Sequence, residues 1–367
     1  MKKNETRDNM DFPLLFCAAI LLIIGTLMVF SSTIIMAEAK WKTPYIFVIK
    51  QVVWLSIGSA ALYFFANYDY SKLQRLSKPV LIAAVLLLVA VLVIGSERGG
   101  AKRWLAWGPV SFQPSEIAKL AIVIALADYL DRKKSRLKQF KGIWPPLATV
   151  GFVCVLIGLE PDLGSPILIC LTCLGLLYMA GASLKYIIGA TLIFAPAAVL
   201  EIYRKPYRLE RIKSFFQSWG DIRSVQYQLD QSLVALGSGG FFGKGLAKGQ
   251  MKLLHVPEAH TDFIFPIIGE ELGFIGSIVI IGMFLFIAWR GMQISMKSRD
   301  FFGGLLAMGI TLAIVLQAMI NIGVSCGIFP TKGLPLPFVS FGGTALVVNM
   351  AEIGILLNIS RSCSKRV

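Results

Sequence analysis

Apolar residues in this chain fall in long unbroken blocks and do not alternate with polar ones. Phe12–Met36 runs 25 residues without a charged side chain, longer than the roughly 20 residues that carry a helix across a bilayer core. Further blocks follow at Ile46–Asn67, Pro79–Gly95, Ser115–Tyr129, Pro145–Leu159, Ser165–Ala182, Leu184–Tyr203, Asp262–Trp289, Gly303–Ile328 and Gly343–Ile359. Lipid offers no partner to a bare N–H or C=O, so blocks of this length predict α-helices. The expected fold is all-α: a polytopic membrane protein of about ten transmembrane helices in a single domain over residues 1–367. A large extracytoplasmic loop, about 204–261, precedes the eighth span. The two blocks around Glu160-Pro161-Asp162-Leu163-Gly164 are short, and make either a re-entrant pair or two tight spans. The first block exceeds the apolar stretch of a secretory signal and lacks a small-residue cleavage site. It is expected to stay in the protein.

Composition agrees with the pattern. Hydrophobic residues make up 56% of the chain and charged residues 16%, against about a quarter charged in a soluble domain. The net charge of +15 is placed by topology. With the N-terminus in the cytoplasm, nineteen Lys and Arg fall on that side, in the N-terminal segment, at Lys72–Lys78, Arg132–Lys141, Lys185, Arg290–Arg299 and in the tail. The opposite short loops hold six: Lys40, Lys42, Arg98, Lys102, Arg103 and Lys332. That asymmetry is the positive-inside signal, and a segment as long as 204–261, with nine more, follows the rule poorly. Nucleic acid need not be invoked. Of six cysteines, five lie in apolar spans and Cys363 in the tail. Cys170 and Cys173 form a C-x-x-C, read as packing because no further ligand pair accompanies it.

An ionisable group inside a span is costly unless it faces protein or water, so polar positions mark four candidate sites. The first is the outer loop with Arg98, Lys102 and Arg103 among Trp104, Trp107 and glycines, running into Gln113-Pro114-Ser115-Glu116. Cations beside indoles at an interface suit an anionic head group or an ordinary aromatic belt. Pro114 and Ser115 predict a helix start with Ser115 as cap. Glu116 and Lys119, three apart, meet on one face of that helix. The second site is Glu160 and Asp162, a cation site or a cap for the next helix. The third is the glycine run Gly237-Ser238-Gly239-Gly240 through Gly249, whose N–H groups suit phosphate oxygens or form a plain loop. It lacks the G-K-[ST] ending of a Walker motif. The fourth is His260-Thr261-Asp262 at the mouth of the eighth span, with Glu270 and Glu271 following. As pattern alone, Asp262 is a helix cap.

These segments together, in collinear order over nearly the whole chain, resemble the SEDS family (shape, elongation, division and sporulation), the FtsW/RodA/SpoVE proteins. The resembling stretches are Arg98-Gly-Gly to Trp104, Phe112-Gln-Pro-Ser-Glu116-Ile-Ala-Lys119, Pro161-Asp-Leu-Gly164, Tyr227-Gln228 with Gln231-Ser232, Gly237-Ser-Gly-Gly240, His260-Thr-Asp-Phe-Ile-Phe265, Glu270-Glu-Leu-Gly273 and Pro335 to Gly343. Pro257-Glu-Ala-His260 and Ile355 to Arg361 look more like the division type. Glu160 departs from the pattern, which often has Gln there.

The resemblance implies a peptidoglycan glycosyltransferase that polymerises lipid II at the outer face of the cytoplasmic membrane, at the division septum. It implies Asp262 as catalytic residue. Substrate binding would fall to Arg98, Lys102, Arg103, Glu116, Lys119, Ser238, Gly239, His260 and Thr261. A divalent cation is a possible cofactor with no ligand set assigned, and a class B penicillin-binding transpeptidase is the expected partner, alongside other division proteins. A lipid II flippase and a non-enzymatic division scaffold are the rival functions. The chain shows no internal repeat of the transporter kind.

Overall fold

The computed structural model describes residues 10–98, 101–107, 110–160, 162–203, 227–250, 261–330 and 333–363, with isolated positions between 209 and 215. Ten long helices among them match the predicted blocks: α1 (Phe12–Trp41), α2 (Ile46–Asn67), α3 (Tyr70–Ile94), α4 (Pro114–Arg132), α5 (Phe140–Leu159), α6 (Gly164–Met179), α7 (Leu184–Tyr203), α9 (Ile264–Lys297), α10 (Phe301–Ser325) and α11 (Gly343–Cys363). A shorter helix, α8 (Tyr227–Ser238), lies in the segment before α9. Several helices outrun their apolar blocks: α3 begins at Tyr70, nine positions ahead of Pro79, and α9 ends at Lys297 beyond Trp289. Helical hydrogen bonds are internal, so the helix continues into the polar layer where hydropathy no longer marks it. Acidic caps start three of them: Asp11, Asp69 and Asp300 accept from Leu14, Ser71 and Gly303 N–H.

Seven of these helices are long and apolar enough to cross a membrane unaided. The others are α4, which carries buried charges, and α6 and α7, whose apolar runs are shorter. At 16 residues and 1.5 Å per residue, α6 is about 24 Å long.

The outer loop is not irregular. It forms an antiparallel sheet of β1 (Ser96–Arg98), β2 (Ala101–Trp107) and β3 (Val110–Phe112), in that order. Its strands pack on α3, α4 and α11.

The bundle has two polar ends. At one, Asp11 binds Arg290 and the Ser360 hydroxyl meets the Asp11 N–H, tying α1, α9 and α11 together. Ser77 and Arg132 meet on Asp128, and Asn358 accepts from Tyr70 N–H, so the start of α3 and the ends of α4 and α11 gather there too. The sheet, the α5–α6 turn, the glycine run and residues 261–263 and 333–342 lie at the other end. Inside, α11 is the axial helix. Nearly all of it is buried, and its broadest interface is with α2.

Helix α9 is broken. Gly273 has φ 73° and ψ −167°, a region that is essentially glycine-only. A Cβ there would lie 2.3 Å from the Gly243 nitrogen and 2.6 Å from the Phe241 carbonyl oxygen. Gly273→Ala should therefore lower stability by roughly 2–6 kcal/mol, adding about 1–3 for backbone strain and about 1–3 for overpacking. Thermal unfolding of the detergent-solubilised protein measures it; an unchanged midpoint would show that the break is not needed.

Candidate active site

Asp262 sits in a turn over residues 261–263 just ahead of α9. It does not hold the cap position its place in the sequence suggests: the cap residue is Phe263, whose side chain makes no capping bond. The half-buried Asp262 carboxylate instead faces Gly333, where a Cβ would stand 3.0 Å from Oδ2. Its main-chain carbonyl accepts from Asn321 Nδ2 at 2.9 Å, and the same amide reaches the Leu334 carbonyl at 2.7 Å. Thr261 is held likewise, its carbonyl accepting from Ser340 Oγ at 2.5 Å.

The segment 333–342 is irregular yet deeply buried: Leu334, Leu336, Phe338, Val339 and Ser340 are each at most 3% exposed. Irregular backbone survives at such depth only where protein groups satisfy it. Gln317 Nε2 donates to the Pro335 carbonyl at 2.8 Å, Asn321 holds Leu334, and Leu336 N–H donates to Ser340 Oγ at 2.8 Å. Two amides one turn apart on α10 thus pin this segment and, through Asn321, the Asp262 turn.

The same ladder holds the buried cation. Lys119 and Glu116 pair at 2.8 Å with side chains 6% and 2% exposed, as their spacing predicts. Lys119 Nζ also donates to Gln317 Oε1 at 2.7 Å. Lys119 therefore faces protein and not lipid, and is joined to the Asp262 turn through Gln317 and Asn321. Glu352 of α11, 3% exposed, lies in the electrostatic field of Lys119 and Glu116. A narrow apolar cavity between α4, α6 and α10 opens beside Lys119, lined by Ile122, Val123, Leu168, Ile169 and Ala313. Ser115 is not the cap of α4; that place belongs to Gln113, with Pro114 in the first turn, because proline loses no hydrogen bond there.

The outer cations come from β2. Lys102 is exposed, while Arg103 is half-buried and donates from Nε to the Glu160 carbonyl at 2.9 Å. Asp162 caps α6, accepting from the Gly164 and Ser165 N–H groups and the Ser165 hydroxyl. A Cβ on Gly164 would meet Leu334, so this turn abuts the 333–342 segment. The Arg98 side chain and all of His260 lie outside the described residues.

The glycine run is placed differently from a phosphate cradle. The Lys244 and Gly245 N–H groups bond the Glu270 and Glu271 carbonyls, and those of Ala247 and Gln250 bond the Glu271 and Glu270 carboxylates. Lys244 pairs with Glu270 at 2.8 Å, and Ser31 donates to Glu271. These amides are engaged by protein, so residues 240–250 strap the first segment of α9. Ser238 donates to its own helix at Ala235, and Gly239 is pressed against the Gly269 carbonyl. Both are among the substrate-binding residues expected from the sequence, and the contacts described for them are with protein.

A search of family models matches the chain over residues 12–365 to the FtsW/RodA/SpoVE family, described as cell cycle protein. The chain belongs to the FtsW/RodA/SpoVE family. It is 37% identical over 357 residues to the "Probable peptidoglycan glycosyltransferase FtsW" of Geobacter sp. strain M18, covering 96% of this chain and 97% of that one. To stage V sporulation protein E of Bacillus subtilis it is 38% identical, covering 97% and 98%. Among solved structures, it superposes with TM-score 0.80 and 25% identity on a chain of a peptidoglycan synthase complex described as coordinating polymerization and crosslinking. That match covers 96% of this chain and 98% of the other. Gln317, Asn321, Gly333 and Ser340 were not singled out as site residues from sequence. Their signal was available for the two amides: uncharged polar side chains four apart in an otherwise apolar span.

Proposed function

We propose that this FtsW/RodA/SpoVE chain is a peptidoglycan glycosyltransferase that polymerises lipid II at the outer face of the cytoplasmic membrane, for septal wall synthesis. The observation carrying this reading is Asp262 at one polar end of the bundle, its turn held at the main-chain carbonyl by Asn321, one helical turn along α10 from the Gln317 that holds buried Lys119. The end that carries Arg290 and Arg361 is then cytoplasmic, with both termini, and the end with Asp262 faces outward.

The donor sugar is α-linked to pyrophosphate and the polymer is β-1,4-linked, so one in-line displacement with inversion suffices. Glycosidases need a second carboxyl to protonate an alcohol leaving group. Pyrophosphate departs without a proton, which leaves one task for a carboxylate: Asp262 takes the proton of the acceptor 4-hydroxyl as the bond forms. Charge developing on the leaving group is met by Arg98, Lys102 and Arg103 on the outer sheet and by Lys119 below, with His260 and Thr261 flanking the base. A divalent cation carried on the substrate's phosphates would supply further neutralisation of the leaving group and leave Asp262 as the base. The polyprenyl chain lies among the apolar helices while its head group stays at the surface. The partner is a class B penicillin-binding transpeptidase, in keeping with the crosslinking complex to which the fold is similar.

Purified protein with its cognate transpeptidase should convert lipid II to glycan ladders. Absence of polymer together with lipid II translocation in liposomes would replace this reading with a flippase; absence of both would leave a scaffold.

A further inference from the structure

Glu160 is the oddest buried group at the outer end. It follows the last residue of α5, is 1% exposed, and neither carboxyl oxygen has a hydrogen-bond partner among the described residues. A buried acid without a partner is costly as a carboxylate and tolerable as a neutral carboxyl. The charged groups acting on it are Asp162 in its own turn and Arg103 on β2. Arg103 is already tied to this residue, through the Glu160 carbonyl at 2.9 Å.

We propose that Glu160 is a positioning residue for Arg103. Its carboxyl, neutral in the resting enzyme, becomes on ionisation the partner that draws the guanidinium inward and away from an anionic head group. The inference rests on the reading of Arg103 as a pyrophosphate-side cation.

Burial, with Asp162 adding to it, lifts the Glu160 carboxyl to about 8 against the pull of Arg103. The sign follows directly. Below that value Glu160 is neutral, and it meets Arg103 through its main-chain carbonyl. Above it, a carboxylate in a poorly solvated site gains most by closing on Arg103, the described cation that acts on it. Rising pH therefore turns Arg103 from the outer face to the interior, and the protein loses a binding cation with no change in Asp262.

The test compares wild type with Glu160→Gln, which keeps the shape and cannot ionise. The ratio of wild-type to variant polymerisation should be near one at pH 6.5 and fall about tenfold by pH 9, as the neutral fraction of a group titrating near 8 does. Taking the ratio cancels pH effects common to both. A ratio constant with pH, or a folded Glu160→Gln protein without activity at pH 6.5, overturns the proposal.

Labelling of Arg103 by a dicarbonyl reagent, read by mass spectrometry, gives an answer independent of turnover. At pH 9 the wild type should label about tenfold more slowly than Glu160→Gln, with other arginines unchanged. Equal labelling at every pH overturns the inference whether or not the protein polymerises lipid II. Protection of Arg103 in a protein that makes no polymer would uphold the pairing and remove the glycosyltransferase reading instead.

Discussion

Asp262→Ala should abolish glycan ladders while leaving a folded protein. Removal of a positioned general base typically costs 10²–10⁴ in rate, about 3–5 kcal/mol of barrier. The fold should survive because the described contacts of this turn are made by main chain: the Asp262 carbonyl to Asn321 and the Thr261 carbonyl to Ser340. The carboxylate faces Gly333, so its loss opens space at the polar end of the bundle without stranding a described buried donor. Quantifying polymer from lipid II, with thermal unfolding run in parallel, separates the two effects. More than a tenth of wild-type activity in the folded variant would remove Asp262 from the mechanism. Loss of the folded state would show that the side chain also has a structural part.

Lys119→Met should be the most destabilising single change in the ion-pair region. Glu116 would remain 2% exposed beside Glu352, without its 2.8 Å partner. Breaking a buried pair from one side typically costs about 3–5 kcal/mol, because the remaining charge has lost its compensation. Gln317 would lose its Lys119 donor as well. Adding Glu116→Gln should recover most of that stability, since removing both charges removes the desolvation penalty with them. Polymerisation should not recover, because the leaving group still lacks this cation. Unfolding midpoints and ladder assays on both singles and the double form a mutant cycle. Additive stability changes would show that the two residues do not act as a pair, and a double variant with wild-type activity would leave Lys119 purely structural.

The helices were legible because lipid imposes one simple requirement, and runs such as Ile46–Asn67 meet it end to end. Helix ends that carry charge were not legible, since Lys72, Arg75 and Lys78 interrupt hydropathy without interrupting α3. The outer sheet escaped notice because β1 and β3 are three residues each, too short for alternation to register. Glu116 and Lys119 could be paired from spacing, which is local information. The ladder from Lys119 to Asp262 could not, because Gln317 lies 198 positions away in sequence from Lys119. The glycine run shows the same limit from the other side. Composition tells that its N–H groups are approachable, while what approaches them, Glu270 and Glu271, is settled by the break at Gly273.

The axial position of α11 bears on how such a chain can be made. Some 94% of its most apolar stretch is buried, against 17% for α2, and among the described helices it is the last in chain order. The nine other long helices enter the membrane before α11 exists. Synthesis runs from the N-terminus, so the earlier helices must hold open a slot, and the Asp11–Ser360 contact, 349 positions apart, can close only once α11 is in place. Contacts of such separation form late and slowly. Until α11 inserts, α2 has no partner for its broadest face, and the catalytic end lacks the helix that carries Glu352. Maturation of the site is thus tied to insertion of α11, and a nascent protein should not act on its substrate before that helix is in place.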